Sequence, residues 1–184
     1  MGRLLITENI TADGRIEMLD EWFDPSPGGG IDAWLEGMQC AGASSNAVIL
    51  GRQTFEDFRG HWPHHTDEPA GAYVDQVQKY VVSSSMTDPQ WLSSTILSGD
   101  PVDEVRRLKD SGGGDLTLAG SITLAHAVLA AGLVDELRLL VFPYVQGRGK
   151  CLVPEGLAIP RLELTEARAL PSGVVLLRYA IASS

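Results

Sequence analysis

The chain has 184 residues, with 14 Lys and Arg against 24 Asp and Glu and a formal net charge of −10. This is the size of one ordinary domain around a single core, and so acidic a balance excludes the basic stripe that nucleic acid or an anionic membrane surface demands. The two cysteines, Cys40 and Cys151, form no CxxC pair and no histidine stands at ligand spacing, so a reduced, cytoplasmic protein without structural metal is expected.

No stretch approaches the apolar length of a membrane span, and MGRLLITENI is too short and turns polar too soon for a secretory signal. Ile6 stands where a myristoylation signal wants Ser or Thr. An untargeted protein is the expectation.

In chain order, Arg3 to Thr7 reads as a first strand, and Thr11-Ala12-Asp13-Gly14-Arg15-Ile16 as a turn followed by an extended piece. Asp24-Pro25-Ser26-Pro27-Gly28-Gly29-Gly30 forbids regular structure and is either a linker or a lid. Ile31 to Met38 predicts a helix, and Asn46 to Leu50 a core strand. Gly51 follows at once, and Arg52-Gln53-Thr54-Phe55-Glu56-Asp57-Phe58 continues in a helical pattern with Phe55 and Phe58 on one side. His61-Trp62-Pro63-His64-His65 is an irregular loop, where surface exposure of the histidines is expected. Pro69 opens a helix running to about Gln78, followed by a strand over Lys79 to Ser83. A shorter strand lies within Trp91 to Leu97, and Pro101 to Lys109 is amphipathic, with Val102, Val105 and Leu108 on one face.

Asp115 to Leu139 is the most informative stretch. It reads as strand, abrupt turn, helix, turn and strand without a gap. Leu116 to Leu118 are of buried-strand type, Ala119-Gly120-Ser121 have almost no side chain, and Ile122 to Ala131 are helix formers. Glu136 to Val145 predicts another strand. A glycine-bearing loop, Gln146 to Lys150, comes next. Arg161 to Leu170 and Val174 to Ile181, joined by Pro171-Ser172-Gly173, read as a hairpin. The run Gly112-Gly113-Gly114 precedes a strand, so it is a helix stop and not a dinucleotide fingerprint.

The alternation predicts one α/β domain over residues 1–184, a three-layer α/β/α sandwich whose central mixed, mostly parallel sheet ends in an antiparallel hairpin. Ligands of such sheets bind at the carboxyl ends of the parallel strands, where Gly51, Ser83 and Gly120 all fall. Gly120 lets a phosphate approach the main chain at a helix N-terminus, where unpaired N–H groups and the macrodipole favour an anion, and Ser121 and Thr123 add hydroxyls. Gly51 repeats the device with Arg52, whose planar guanidinium matches phosphate oxygens. The plainer alternatives are a tight turn that simply needs Gly and a solvated surface Arg.

Asn46 to Glu56, Tyr80 to Ser85, Gly120 to Leu124 and Val134-Asp135-Glu136-Leu137, in this order, resemble the dihydrofolate reductase-like superfamily. The chain is more closely similar to the branch related to the reductase domain of bacterial riboflavin biosynthesis. Thr11 to Ile16 resembles that branch's Asp-Gly segment. The resemblance implies an oxidoreductase with NADPH across the strand ends. Gly51, Arg52 and Thr54 would hold the phosphate region, Ser83, Ser84 and Ser85 the adenosine ribose and 2′-phosphate, and Gly120, Ser121, Ile122 and Thr123 the pyrophosphate. It also implies a homodimer, and a pterin-like or ribosylaminopyrimidine-like small-molecule substrate.

No zinc deaminase part like that of bifunctional riboflavin enzymes is expected. Asp32 is the nearest candidate for a substrate-binding carboxylate, and equally a first-turn acid favoured by the dipole. Asp13, beside the expected nicotinamide end, either orients substrate and relays a proton or steadies its own turn. Trp22, Phe23 and Trp34 either wall a planar substrate or pack the core. Lys150, with Gly147 and Gly149, belongs to a loop similar to one near the active site of relatives. A cofactor-binding sensor without turnover and a dimeric assembly module are the readings from other classes.

Overall fold

The computed structural model describes residues 2–23, 31, 46–159 and 161–182. The stretch 24–30, the predicted helix beyond Ile31 with Asp32 and Trp34, and Cys40 lie outside the described residues.

Eight strands form one sheet: β1 (Leu4–Thr11), β2 (Asn46–Gly51), β3 (Gln78–Val82), β4 (Ser94–Leu97), β5 (Asp115–Ala119), β6 (Glu136–Phe142), β7 (Leu162–Ala169) and β8 (Val175–Ile181). Their order is β4-β3-β2-β5-β1-β6-β8-β7. From β4 to β6 every neighbour is parallel, and β8 then pairs antiparallel with both β6 and β7. The predicted hairpin is therefore present, with its outer strand at the sheet edge.

Helices cover both faces. α1 (Arg52–His61) and α2 (Pro69–Gln76) lie on one, and α3 (Pro101–Asp110) and α4 (Ile122–Ala130) on the other. Strand alternation assigns the core: Leu4, Ile6 and Ile10 of β1 pack with Val105, Leu124, Ala125 and Val128, whereas Val48 and Leu50 of β2 pack with Phe55 and Val74. All eight residues of β1 are buried, as befits a central parallel strand covered on both faces.

The two largest departures from the sequence reading are at strand ends, and each has a local cause. β1 runs four residues past the expected Thr7 because β6 pairs with it as far as Thr11, although β5 leaves it at Thr7. β6 stops at Phe142 and not at Val145, since Pro143 lacks the donor that would continue the ladder. Beyond the turn at Gly14, the expected extended piece is reduced to a single bridge between Arg15 and Cys151.

Lys79 is fully buried in β3 and caps α2 from beneath. Its Nζ donates to the carbonyls of Val74, Asp75 and Val77 at 2.9–3.0 Å and lies 4.3 Å from the Trp91 ring centre. Burial pushes its pKa down to about 8, so the ammonium still predominates at neutral pH. Lys79→Met is expected to cost about 2–4 kcal/mol, because three carbonyls at the end of the helix lose the buried donor they share. A urea midpoint equal to that of the parent protein would refute this.

Candidate functional site

The sheet carries a cleft of about 630 Å³ at the carboxyl ends of β1, β2, β3 and β5. That is within the range of small-molecule sites. Its wall includes Gly51, Arg52 and Thr54 from the β2 end and Gly120, Ser121, Ile122 and Thr123 from the β5 end. The two turns singled out from sequence thus face one space.

They are also tied to each other. The Gly51 N–H donates to Ser121 Oγ at 2.8 Å, and the Ser121 N–H donates to Thr54 Oγ1 at 3.1 Å. Gly120 (φ +60) and Ser121 (φ +59) both adopt left-handed backbone, and a Cβ built on Gly120 would lie 3.1 Å from Thr54 Cγ2. Glycine is therefore favoured at position 120 by its backbone, and a Cβ there would have to displace Thr54 slightly. The hydroxyls of Ser121 and Thr54, expected to reach a ligand, hold the turns in register.

Neither α1 nor α4 has a side-chain cap or an acid in its first turn. In α3, by contrast, Asp100 Oδ1 accepts from the N–H groups of Val102 and Asp103, and two acids follow. In α4 the Ala125 N–H, donating to Ser121 O at 2.9 Å, is the first to close the helix. The preceding amides can serve an anion in the cleft. Arg52 is half-exposed and pairs with Glu56 across one helical turn at 3.2 Å. It lines the cleft but is not held rigidly in it.

Ser83, Ser84 and Ser85 do not line the cleft, although Val82 just before them does. Ser83 is buried, and its Oγ accepts from the N–H groups of Ser85 at 3.3 Å and Met86 at 3.1 Å, shaping the turn after β3. Ser84 and Ser85 are exposed beside it.

Asp13 stands apart from the cleft lining. Its carboxylate accepts from the Thr11 hydroxyl at 2.6 Å and from the N–H groups of Gly147 at 2.8 Å and Gln146 at 3.0 Å. The Thr11 bond above all, then the two loop amides, hold its carboxyl far below the usual carboxylate range despite some desolvation. The carboxylate is thus engaged by its own turn and by the loop after β6. It staples the loop after β6 to the turn after β1, and so helps place Ile16, Met18 and Lys150 on the cleft wall.

The same loop is fixed by Gln146, which sequence reasoning passed over. This buried amide accepts from Trp22 Nε1 at 2.9 Å and donates to the carbonyls of Glu17 and Arg148. Trp22 and Phe23 pack on Phe142 and do not wall the cleft. His61 and His65 stack at 4.3 Å at the end of α1, with His61 and His64 exposed as expected and Trp62 buried. No group of three or more possible metal ligands occurs among the described residues.

Glu8 is the other residue that sequence reasoning missed. It lines the cleft, is only 5% exposed, and its Oε1 has no hydrogen-bond partner among the described residues. Burial alone pushes its carboxyl up to about 8, so it is largely protonated at neutral pH. A signal existed: Glu8 is in phase with Leu4, Ile6 and Ile10, where a carboxyl replaces a core side chain.

Comparison with known proteins agrees with this layout. The chain is 27% identical to the uncharacterized protein YyaP of Bacillus subtilis (strain 168), over 96% of this chain and 94% of that protein. A putative riboflavin biosynthesis protein from Shewanella sp. PV-4 superposes with a TM-score of 0.73 at 19% identity, covering 98% of this chain and 99% of that one. The dihydrofolate reductase of Enterococcus faecalis, complexed with NADP(H) and RAB-propyl, gives 0.67 at 16% identity, covering 99% and 98%. The fold is thus dihydrofolate reductase-like. No helix among the described residues is long and apolar enough to cross a membrane. The model of the RibD C-terminal domain matches residues 3–176, a span that takes in the cleft and both turns shaping it, and the chain belongs to that family.

Proposed function

We propose that the protein is an NADPH-dependent reductase that transfers a hydride to a small heterocyclic substrate, pterin-like or ribosylaminopyrimidine-like. One observation carries this reading: two glycine turns, cross-tied through Ser121 and Thr54, present uncapped helix N-termini to a single cleft. A ligand with two linked phosphates matches them. Family membership and the NADP(H) bound by the Enterococcus enzyme support the choice of coenzyme.

The residues present fit such a group. Gly51 and Gly120 bring main chain without a side chain to the cleft wall, Arg52 is free to swing from Glu56 onto a phosphate, and Ser84 and Ser85 offer exposed hydroxyls for the 2′-phosphate. When bound, the coenzyme supplies the hydride. The protein's part is to orient it, exclude water and handle the accompanying proton. Asp32 remains the proposed substrate-binding carboxylate, and Asp13 the group that sets the adjoining loop.

Fluorescence titration tests the reading. NADPH is expected to bind, and to bind more tightly than NADH. Arg52→Ala should weaken NADPH by about 1 kcal/mol, the low end for a charge-assisted bond because the side chain is half in solvent. Unchanged affinity would remove Arg52 from the site. Oxidation of bound NADPH by pterin, ribitylaminopyrimidine or quinone acceptors separates a reductase from a coenzyme sensor.

A further inference from the structure

Glu8 occupies a special place in the topology. β5 pairs with β1 only from Leu4 to Thr7 and turns away at Gly120, whereas β1 continues to Thr11 against β6. Glu8 is thus the first β1 residue beyond the ladder with β5, at the point where the two strands part and the cleft opens. The cleft wall that Glu8 shares also carries the apolar side chains of Ile16, Met18, Ile122 and Leu124. A ring fits such a wall, and a carboxyl with a vacant oxygen distinguishes rings by charge.

We propose that Glu8 is the proton donor of the cleft, a carboxylic acid that faces the neutral ring of a reduced nicotinamide coenzyme and gives up its proton when that ring becomes cationic. The proposal rests on the coenzyme reading above. A buried acid with no partner keeps its proton, because an isolated carboxylate loses its hydration without compensation. A cation beside it reverses the balance. Oxidation of the coenzyme creates that cation at the moment the substrate needs a proton.

The step balances. A C–H bond of the dihydronicotinamide breaks with its electron pair and a C–H bond forms on the substrate. The Glu8 O–H bond breaks, and its proton takes up the electron pair displaced onto the substrate heteroatom. The carboxylate then faces the cationic ring. Glu8 regains a proton from water when reduced coenzyme returns. Coenzyme is oxidised, substrate is reduced, and one proton is consumed from solvent per turnover.

Other titratable and charged groups border this region. Arg52 and Asp57 of α1 and Lys150 of the loop after β6 line the cleft, whereas His126 of α4 is outside the lining, with Nε2 2.8 Å from the Cys151 carbonyl oxygen. Arg15 and Glu17 lie on the segment after β1, where Arg15 donates to Gly149 O and Glu17 stands 4.0 Å from Lys150. The β6 residue opposite Glu8 is Leu139. None of these charges contributes to the displaced pKa of Glu8, which burial alone raises.

Calorimetric titration with NADP+ and with NADPH, in buffers of different ionisation enthalpy, counts the protons exchanged on binding and needs no turnover. At pH 7, NADP+ is expected to release close to one proton per site and NADPH none. NADP+ affinity should rise about tenfold per pH unit between 6 and 7, and NADPH affinity should fall as pH passes 8. Glu8→Gln should keep NADPH binding at pH 7 and lose both dependences. Equal proton counts for the two coenzymes, or slopes that persist in Glu8→Gln and so belong to another group, would overturn the proposal. Failure of the parent protein to bind either coenzyme would overturn the coenzyme reading itself. If Glu8→Gln does not fold, the proton counts of the parent protein decide alone.

Discussion

Gly120→Val is expected to abolish NADPH binding, with a loss of at least a hundredfold in titration. Two effects act together. The position has φ +60, which a β-branched residue resists at about 1–2 kcal/mol, and the new Cβ would press on Thr54 Cγ2 at 3.1 Å. Thr54 in turn accepts the Ser121 N–H, so displacing it loosens the link between the turns that shape the cleft. Gly51→Ala is the contrasting control. Gly51 has φ −76 and its Cβ would meet Ser121 at an ordinary 3.5 Å, so this variant should fold as the parent does. Circular dichroism separates a folded Gly120→Val protein that has lost its ligand from an unfolded one. If the folded variant binds NADPH normally, the turn is a structural device and the phosphate assignment falls.

Glu136→Ala should produce the largest loss of stability, about 3–5 kcal/mol, the scale on which breaking a buried ion pair acts. Glu136 lies at the start of β6, where Oε1 accepts from Arg138 Nε at 2.7 Å and from Arg178 Nε at 2.9 Å, and Oε2 is 3.5 Å from Arg3. Arg138 is 0% exposed, so its charge depends on interior partners, of which this carboxylate is a principal one. Burial by itself would raise the Glu136 pKa, but the hydrogen bonds and charges of Arg138 and Arg178 outweigh it and leave the carboxyl below its usual value. The sign of the pH dependence follows. The unfolded chain binds the proton more readily, so the stabilisation is complete above the ordinary glutamate value and is lost as pH falls through the lowered one. Urea midpoints measured from pH 7 down to pH 3 should fall more steeply for the parent than for Glu136→Gln. Parallel curves would show that this carboxylate does not govern acid stability.

These two positions illustrate how differently the chain discloses its parts. Gly120 was legible because a strand, a turn of small residues and a helix follow one another within a dozen positions, and local chemistry forces the geometry. Gly51 and Arg52 were legible for the same reason. Glu136 was placed at the start of a strand, yet its charge pairing with Arg178 depends on the register of an antiparallel strand more than forty residues away. Ser83 looked like a ligand group and proved to shape its own turn, because a hydroxyl two or three residues before free amides is satisfied locally. Asp13 was read beside the site and proved to hold a distant loop, a partnership across 134 positions that no spacing rule reveals.

By itself, then, the sequence determined the layered α/β architecture, the order of its elements and the two glycine turns, since hydrophobic period, breakers and turn residues act over a few bonds. Tertiary structure alone decided that the turns are bound to each other, that Asp13 and Gln146 fix the loop carrying Lys150, and that Glu8 lies where β1 and β5 separate, its Oε1 without a partner among the described residues. Each of these depends on which strands become neighbours and where a ladder ends, and such choices are settled by packing the whole sheet at once.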